Sequence, residues 1–133
     1  MNLLRISMLL LLAAVVAACT TPPGALPQVY PLAQRDPDGQ AYFVTETRYL
    51  GADANFAVLQ IWRAAAGERT PLLRLVLDDW CGRPIAWQLA PNGIEVPAAP
   101  ATSRKDPENP GKCAAQPARA YILRGGQVVA EER

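Results

Sequence analysis

Ten of the chain's 13 prolines fall in two stretches, and that distribution narrows the possible folds before any other feature is considered. Proline locks φ at about −65° and removes a backbone donor, so neither stretch suits a helix interior or a central strand. The first, Thr20 to Gln40, carries Pro22, Pro23, Pro27, Pro31 and Pro37 and has no hydrophobic periodicity. It reads as a tether that could extend about 60 Å in polyproline II form, unless Val29 to Leu32 packs onto the domain. The second, Pro97 to Pro117, carries the other five prolines and the charged run Arg104-Lys105-Asp106, and reads as a long loop.

Outside these stretches the pattern is that of strands. Ala41 to Leu50 puts Phe43, Thr45, Thr47 and Tyr49 on one face and Tyr42, Val44, Glu46 and Arg48 on the other, the period-2 signature of a strand. Leu72 to Asp79 alternates more cleanly, with Leu73, Leu75 and Leu77 on one side. Ile85 to Ala90 aligns Ile85, Trp87 and Leu89, and Asn92-Gly93 then suggests a type I′ turn into Ile94-Glu95-Val96. Tyr121 to Arg124, Gly125-Gly126 and Gln127 to Ala130 form a second expected hairpin, which pairs Leu123 with Val128 and Tyr121 with Ala130. Asn55 to Ala66 is ambiguous: Phe56, Val58, Leu59, Ile61 and Trp62 suit a strand, whereas the Ala-rich end before Gly67 resembles a helix with its C′ glycine. As a strand it would leave Ala64 to Pro71 as a wide hairpin loop. The expected fold is therefore mainly β, a small antiparallel sheet, sandwich or barrel-like meander with one disulfide. The alternative is α+β with one helix near 54–66.

The N-terminal segment is an address. Arg5 precedes an apolar run of 11 residues, Met8 to Ala18, too short for the roughly 20 residues that cross a bilayer but within the range of a signal-peptide core. Val16-Ala17-Ala18-Cys19 resembles the lipobox of bacterial lipoproteins, with Val16 standing where that family more often has Leu. The resemblance implies a signal peptide at 1–18, diacylation of Cys19, and, with Thr20 rather than Asp next, sorting to the outer membrane. An ordinary signal peptide cleaved at an A-x-A-like site between Ala14 and Ala18 is the alternative. The expected organisation is 1–18 signal peptide, 19–40 lipidated Cys and Pro-rich tether, and 41–133 a small β domain with a Pro-rich loop at 97–117.

Three cysteines in an exported chain leave one unexplained unless Cys19 is lipidated, which makes Cys81 and Cys113 an even pair. In an oxidising compartment they read as a structural bridge. They lack a C-x-x-C spacing, and the chain has no His to lower a thiol pKa.

Composition then excludes classes of function. The chain has no histidine, so the commonest general base and the commonest metal ligand are missing. Its 13 cations against 12 acids leave no electrostatic footprint for nucleic acid, and loss of Arg5 with the leader makes the balance even. No phosphate loop, nucleophile elbow, EF-hand or haem signature occurs, and no catalytic residue, metal or cofactor is expected.

The one cluster with chemical shape is Asp78-Asp79-Trp80-Cys81-Gly82-Arg83. Neighbours on a strand face opposite ways, so Asp78 and Asp79 do not form the facing carboxyl pair of a glycosidase. The plain reading is a strand end whose acids are balanced by Arg83. The sharper one is a ligand or partner surface built from Trp80, Arg83 and Trp87, with Arg104 and Lys105 from the Pro-rich loop, suited to a sugar ring or a peptidoglycan carboxylate. Trp62, Trp80 and Trp87 equally suit a core. The sequence thus points to a non-catalytic binding or assembly module of the cell envelope, on the periplasmic side of the outer membrane, with an envelope protein or peptidoglycan as partner. Its rivals are an inhibitor of a cell-wall hydrolase or protease that inserts the Pro97 to Pro117 loop, and a cell-wall enzyme using Asp78, Asp79 or Glu95.

Overall fold

The computed structural model describes residues 26–133. The leader, the lipobox and Cys19 lie outside them. Among the described residues all regular structure is β: β1 (Gln28–Arg35), β2 (Ala41–Leu50), β3 (Asn55–Ala65), β4 (Glu68–Asp78), β5 (Gln88–Ala90), β6 (Gly93–Val96), β7 (Arg119–Arg124) and β8 (Gln127–Glu132). They form two four-stranded meanders, in the order β1-β2-β3-β4 and β5-β6-β7-β8, with every neighbouring pair antiparallel. One core joins them: Leu32, Tyr42, Val44, Leu59 and Ile61 from the first sheet pack with Ile94 and Leu123 from the second. The mainly β expectation is what is observed, with its one disulfide, and the helix near 54–66 is not. That segment is the central strand β3, whose Leu59 and Ile61 are fully buried.

Four local expectations are corrected. The Pro-rich stretch 20–40 is not a tether throughout: in line with the alternative, Val29 to Leu32 packs onto the domain, within Gln28 to Arg35, which pairs with β2 and buries Leu32. Ala33 N–H and Gln34 N–H both donate to the Pro91 carbonyl, at 3.1 and 3.2 Å, which fixes this strand to the other sheet. Pro31 is tolerated there because β1 is an edge strand, where a missing donor can face away from the ladder.

The type I′ turn sits elsewhere. β5 and β6 pair Ala90 with Gly93, so their turn residues are Pro91 and Asn92, and Gly93 is already strand. The loop from Ala64 to Pro71 collapses to the pair Ala66-Gly67, with φ of 47° and 81°, the left-handed geometry of a type I′ turn. An alanine there is strained, since the left-handed region costs a residue with a Cβ about 1–2 kcal/mol. Ala66→Asn is expected to stabilise the protein by about 0.5–1 kcal/mol, read as a higher denaturant midpoint at unchanged slope. An unchanged or lower midpoint would contradict the turn assignment.

The fourth correction is the strand expected over Ile85 to Ala90, which pairs only from Gln88. Pro84 precedes it and has no N–H to give, and Trp87 packs against the core while Ile85 and Ala86 line surface clefts. The second hairpin keeps its expected register, Leu123 with Val128 and Tyr121 with Ala130, because Gly125 and Gly126 both take positive φ.

Tyr42 closes one end of the core. It is buried, and its hydroxyl donates to Asp36 Oδ1, beside the turn in which Gly39 N–H donates to the Asp36 carbonyl at 2.8 Å. Burial, and then the bond to Asp36, hold its phenol above the usual tyrosine range. The folded state therefore keeps this proton after the unfolded chain has lost it. The contribution is fully present below pH of about 10 and is lost as pH rises through the higher folded value. Tyr42→Phe should flatten the fall in stability above that pH, as followed by denaturant titration. A slope identical to that of the parent would mean that other groups cause it.

Candidate binding groove

The two sheets do not close evenly. Val44, Leu59 and Ile61 are fully buried in the middle of the first sheet, but Leu73, Leu75 and Leu77 on the same face of β4 are only partly covered. β4 is the last strand of its sheet, so one side of its backbone has no ladder partner. Along that side runs a groove of about 450 Å³ between Leu75–Asp78 and an opposing wall of Ile85, Val96, Pro97, Pro100, Pro117 and Tyr121. Prolines on the opposing wall have no N–H to offer β4, which keeps the two sides from zipping together.

The opposing wall is held by two clamps. Cys81 and Cys113 are bridged, with Cα atoms 5.4 Å apart, and both are buried. Arg83 supplies the second. Its guanidinium donates to the carbonyls of Pro100 (2.8 Å), Cys113 (3.0 Å), Ala114 (2.7 Å) and Lys112 (3.4 Å). A five-donor fork suits this task where a lysine ammonium would not. The expectation that Arg83 balances the aspartates is thus corrected: it gathers the two ends of the Pro-rich loop. The Ala99–Gln116 bridge ties the same ends.

The aspartates have other partners. Asp78 forms an ion pair with Lys112 at 2.8 Å and accepts from Trp80 N–H at 3.1 Å. Asp79 accepts from Asn55 N–H at 2.7 Å and from its side-chain amide. They face apart as their adjacency requires. Glu95 pairs with Arg133 at 3.0 Å, so none of the three carboxylates is gathered with another.

The expected surface of Trp80, Arg83, Trp87, Arg104 and Lys105 does not assemble as one patch. Arg104 lies over the Trp80 ring, its guanidinium carbon 3.4 Å from the centroid, so that aromatic face is already covered by a cation. Lys105 is exposed on the loop. Trp87 turns inward at the opposite end of Pro84–Trp87: it meets Tyr30 edge to face at 5.3 Å, and its indole N–H donates to buried Glu46, which also receives Arg48 at 3.2 Å. There it borders a second cleft of about 400 Å³, whose charged lining is Arg48, Glu95, Arg119 and Arg133. The two clefts share Ile85, Ala86, Val96, Pro97 and Arg119.

Sequence reasoning missed the groove because a period-2 pattern gives a strand's faces but not its place in the sheet. Leu75 and Leu77 were legible as core-facing, not as the rim of an opening. The available signal was the run of prolines at 97, 100 and 117, which cannot pair with β4 and so leaves its edge open. Among the described residues no cluster of metal-ligating side chains occurs, and no helix is long and apolar enough to cross a membrane. No protein-family model, curated protein or solved structure matches the chain, so the functional reading stands on this geometry.

Proposed function

We propose that the protein is an outer-membrane-anchored lipoprotein acting as a non-catalytic binding or assembly module of the cell envelope, and that it takes an extended segment of an envelope partner along β4. The observation that supports this reading most is the groove itself. An unpaired strand edge offers backbone hydrogen bonds, the adjoining half-covered leucines offer pockets for alternate side chains, and together these are the elements of strand addition. The wall opposite is fixed in advance by the disulfide and Arg83, so little ordering opposes binding. Anchoring through Cys19 would concentrate the domain at the membrane, where a weak surface suffices.

A photo-crosslinking residue at Val76, which is 45% exposed and lines the groove, should capture a discrete envelope protein in living cells. The same residue at Val129 on β8, 39% exposed, should not. Val76→Arg should weaken retention of that partner about tenfold or more, as expected for a change within the contact. Equal background at both positions would count against the reading.

The hydrolase-inhibitor reading keeps one supporting observation, the rigid fixation of both ends of the Pro97–Pro117 loop. Deleting Arg104 to Gly111 separates the two: an inhibitor loses potency, whereas the β4 groove keeps its partner.

A further inference from the structure

The outer face of the first sheet carries more aromatic surface than its core side explains. The register places Phe43 beside Trp62 and Tyr49 beside Phe56, and both pairs stack, at 6.3 and 5.0 Å between centroids. Both phenylalanines of the chain therefore lie on the face turned away from the sandwich. Val29 from β1 shares that face by register and is 58% exposed.

Its charge is one-sided. The bulge between Ile61 and Trp62 aligns Arg69 with Ala64 and Arg74 with Gln60, which puts both arginines on this face. Arg69 lies over Trp62 at 5.6 Å. The one carboxylate of the same β4 face, Asp78, is taken by Lys112, and among the described residues neither arginine has a carboxylate partner.

We propose that this face rests on an anionic phospholipid surface. Exposed apolar patches on monomers mark interaction sites, and aromatic rings with a polar handle settle at the boundary of headgroups and acyl chains. Arginines at the rim favour anionic headgroups. The place where the described residues begin selects a bilayer over other occupants. β1 belongs to this sheet, Leu26 just before it is 77% exposed, and residues 20–27 reach at most about 30 Å back to Cys19. The placement near the bilayer rests in part on the lipoprotein reading, but the contact itself is a property of the face.

The test uses purified protein and vesicles of phosphatidylglycerol and phosphatidylethanolamine. Trp62 is a native reporter: lipids brominated on the acyl chains should quench a component of the fluorescence that the Trp62→Phe variant lacks. Arg69→Gln and Arg74→Gln should each reduce the quenched population about fivefold at low salt, and phosphatidylcholine vesicles should not quench. Unacylated protein should float with the anionic vesicles and not the neutral ones, so failure of acylation is separable from failure of the face. A Trp62 signal quenched equally by aqueous acrylamide with and without vesicles would overturn the proposal. So would protection of Trp62 by self-association, or by soluble glycan, without any lipid quenching.

Discussion

Replacing Cys81 and Cys113 together by alanine should cost about 3 to 4 kcal/mol of folding stability. The bridge joins residues 32 apart, and the chain-entropy model assigns about that much to a loop of this size. For a domain of this length each kcal/mol moves the melting temperature by roughly 4–8 °C, so the midpoint should fall by about 12–32 °C, and reductant at high temperature should reproduce it. The consequence is not confined to stability. Both cysteines flank Arg83 and the loop it gathers, so the groove wall loses its covalent clamp while β1 to β4 keep their pairing. Partner capture at Val76 should then weaken at temperatures where circular dichroism still shows a folded sheet. A midpoint within about 5 °C of the parent would mean that the hydrogen bonds from Arg83 fix the loop without the bridge.

Gly93→Ala is expected to be nearly as costly, about 3 kcal/mol or more, through a different cause. Gly93 has ordinary φ, so conformational freedom is not its role. A Cβ there would stand 1.9 Å from the Tyr121 carbonyl oxygen and 2.9 Å from its carbon, atoms of the β7 backbone that cannot swing aside as a side-chain tip could. β6 and β7 must separate to admit it, and Ile94, fully buried beside it, moves with them. Overpacking of this kind ordinarily costs about 1–3 kcal/mol, and more where backbone must shift. Denaturant unfolding measures it. A loss under about 1 kcal/mol would show that the two strands part at this point without disturbing the core.

Gly93 also illustrates what local sequence could and could not convey. Asn92-Gly93 has the chemistry of a type I′ turn, but the glycine serves a contact with a strand some 28 residues further on, which no local pattern encodes. The converse holds at Ala66-Gly67, where a turn that favours Asn-Gly is made with alanine and was legible as a helix end. Alternation, in contrast, was reliable wherever both faces were defined: Leu73, Leu75 and Leu77 face inward as their spacing required, and Leu123 meets Val128 across the second hairpin. The cysteine pairing followed from counting. Arg83 and the aspartates were recognised as one neighbourhood, but their long-range partners lie near Asn55 and across the Pro-rich loop, at 17 to 34 positions' remove, so those bonds depend on the fold being complete.

β1 gives the domain a mechanical weak point. Tension on the N-terminal side of the chain enters at Gln28 and is borne first by an edge strand with a break in register between Pro31 and Arg35. A partner gripping β4 would pull from the opposite edge of the same sheet, which places β1 and β2 in series with the load. β1 should then peel before the sandwich yields, drawing Leu32 out of the core and releasing about 25 Å of chain. The edge strand nearest the N-terminal side of the domain would act as a fuse, giving slack to a strained connection while β2 to β8 and the groove stay folded.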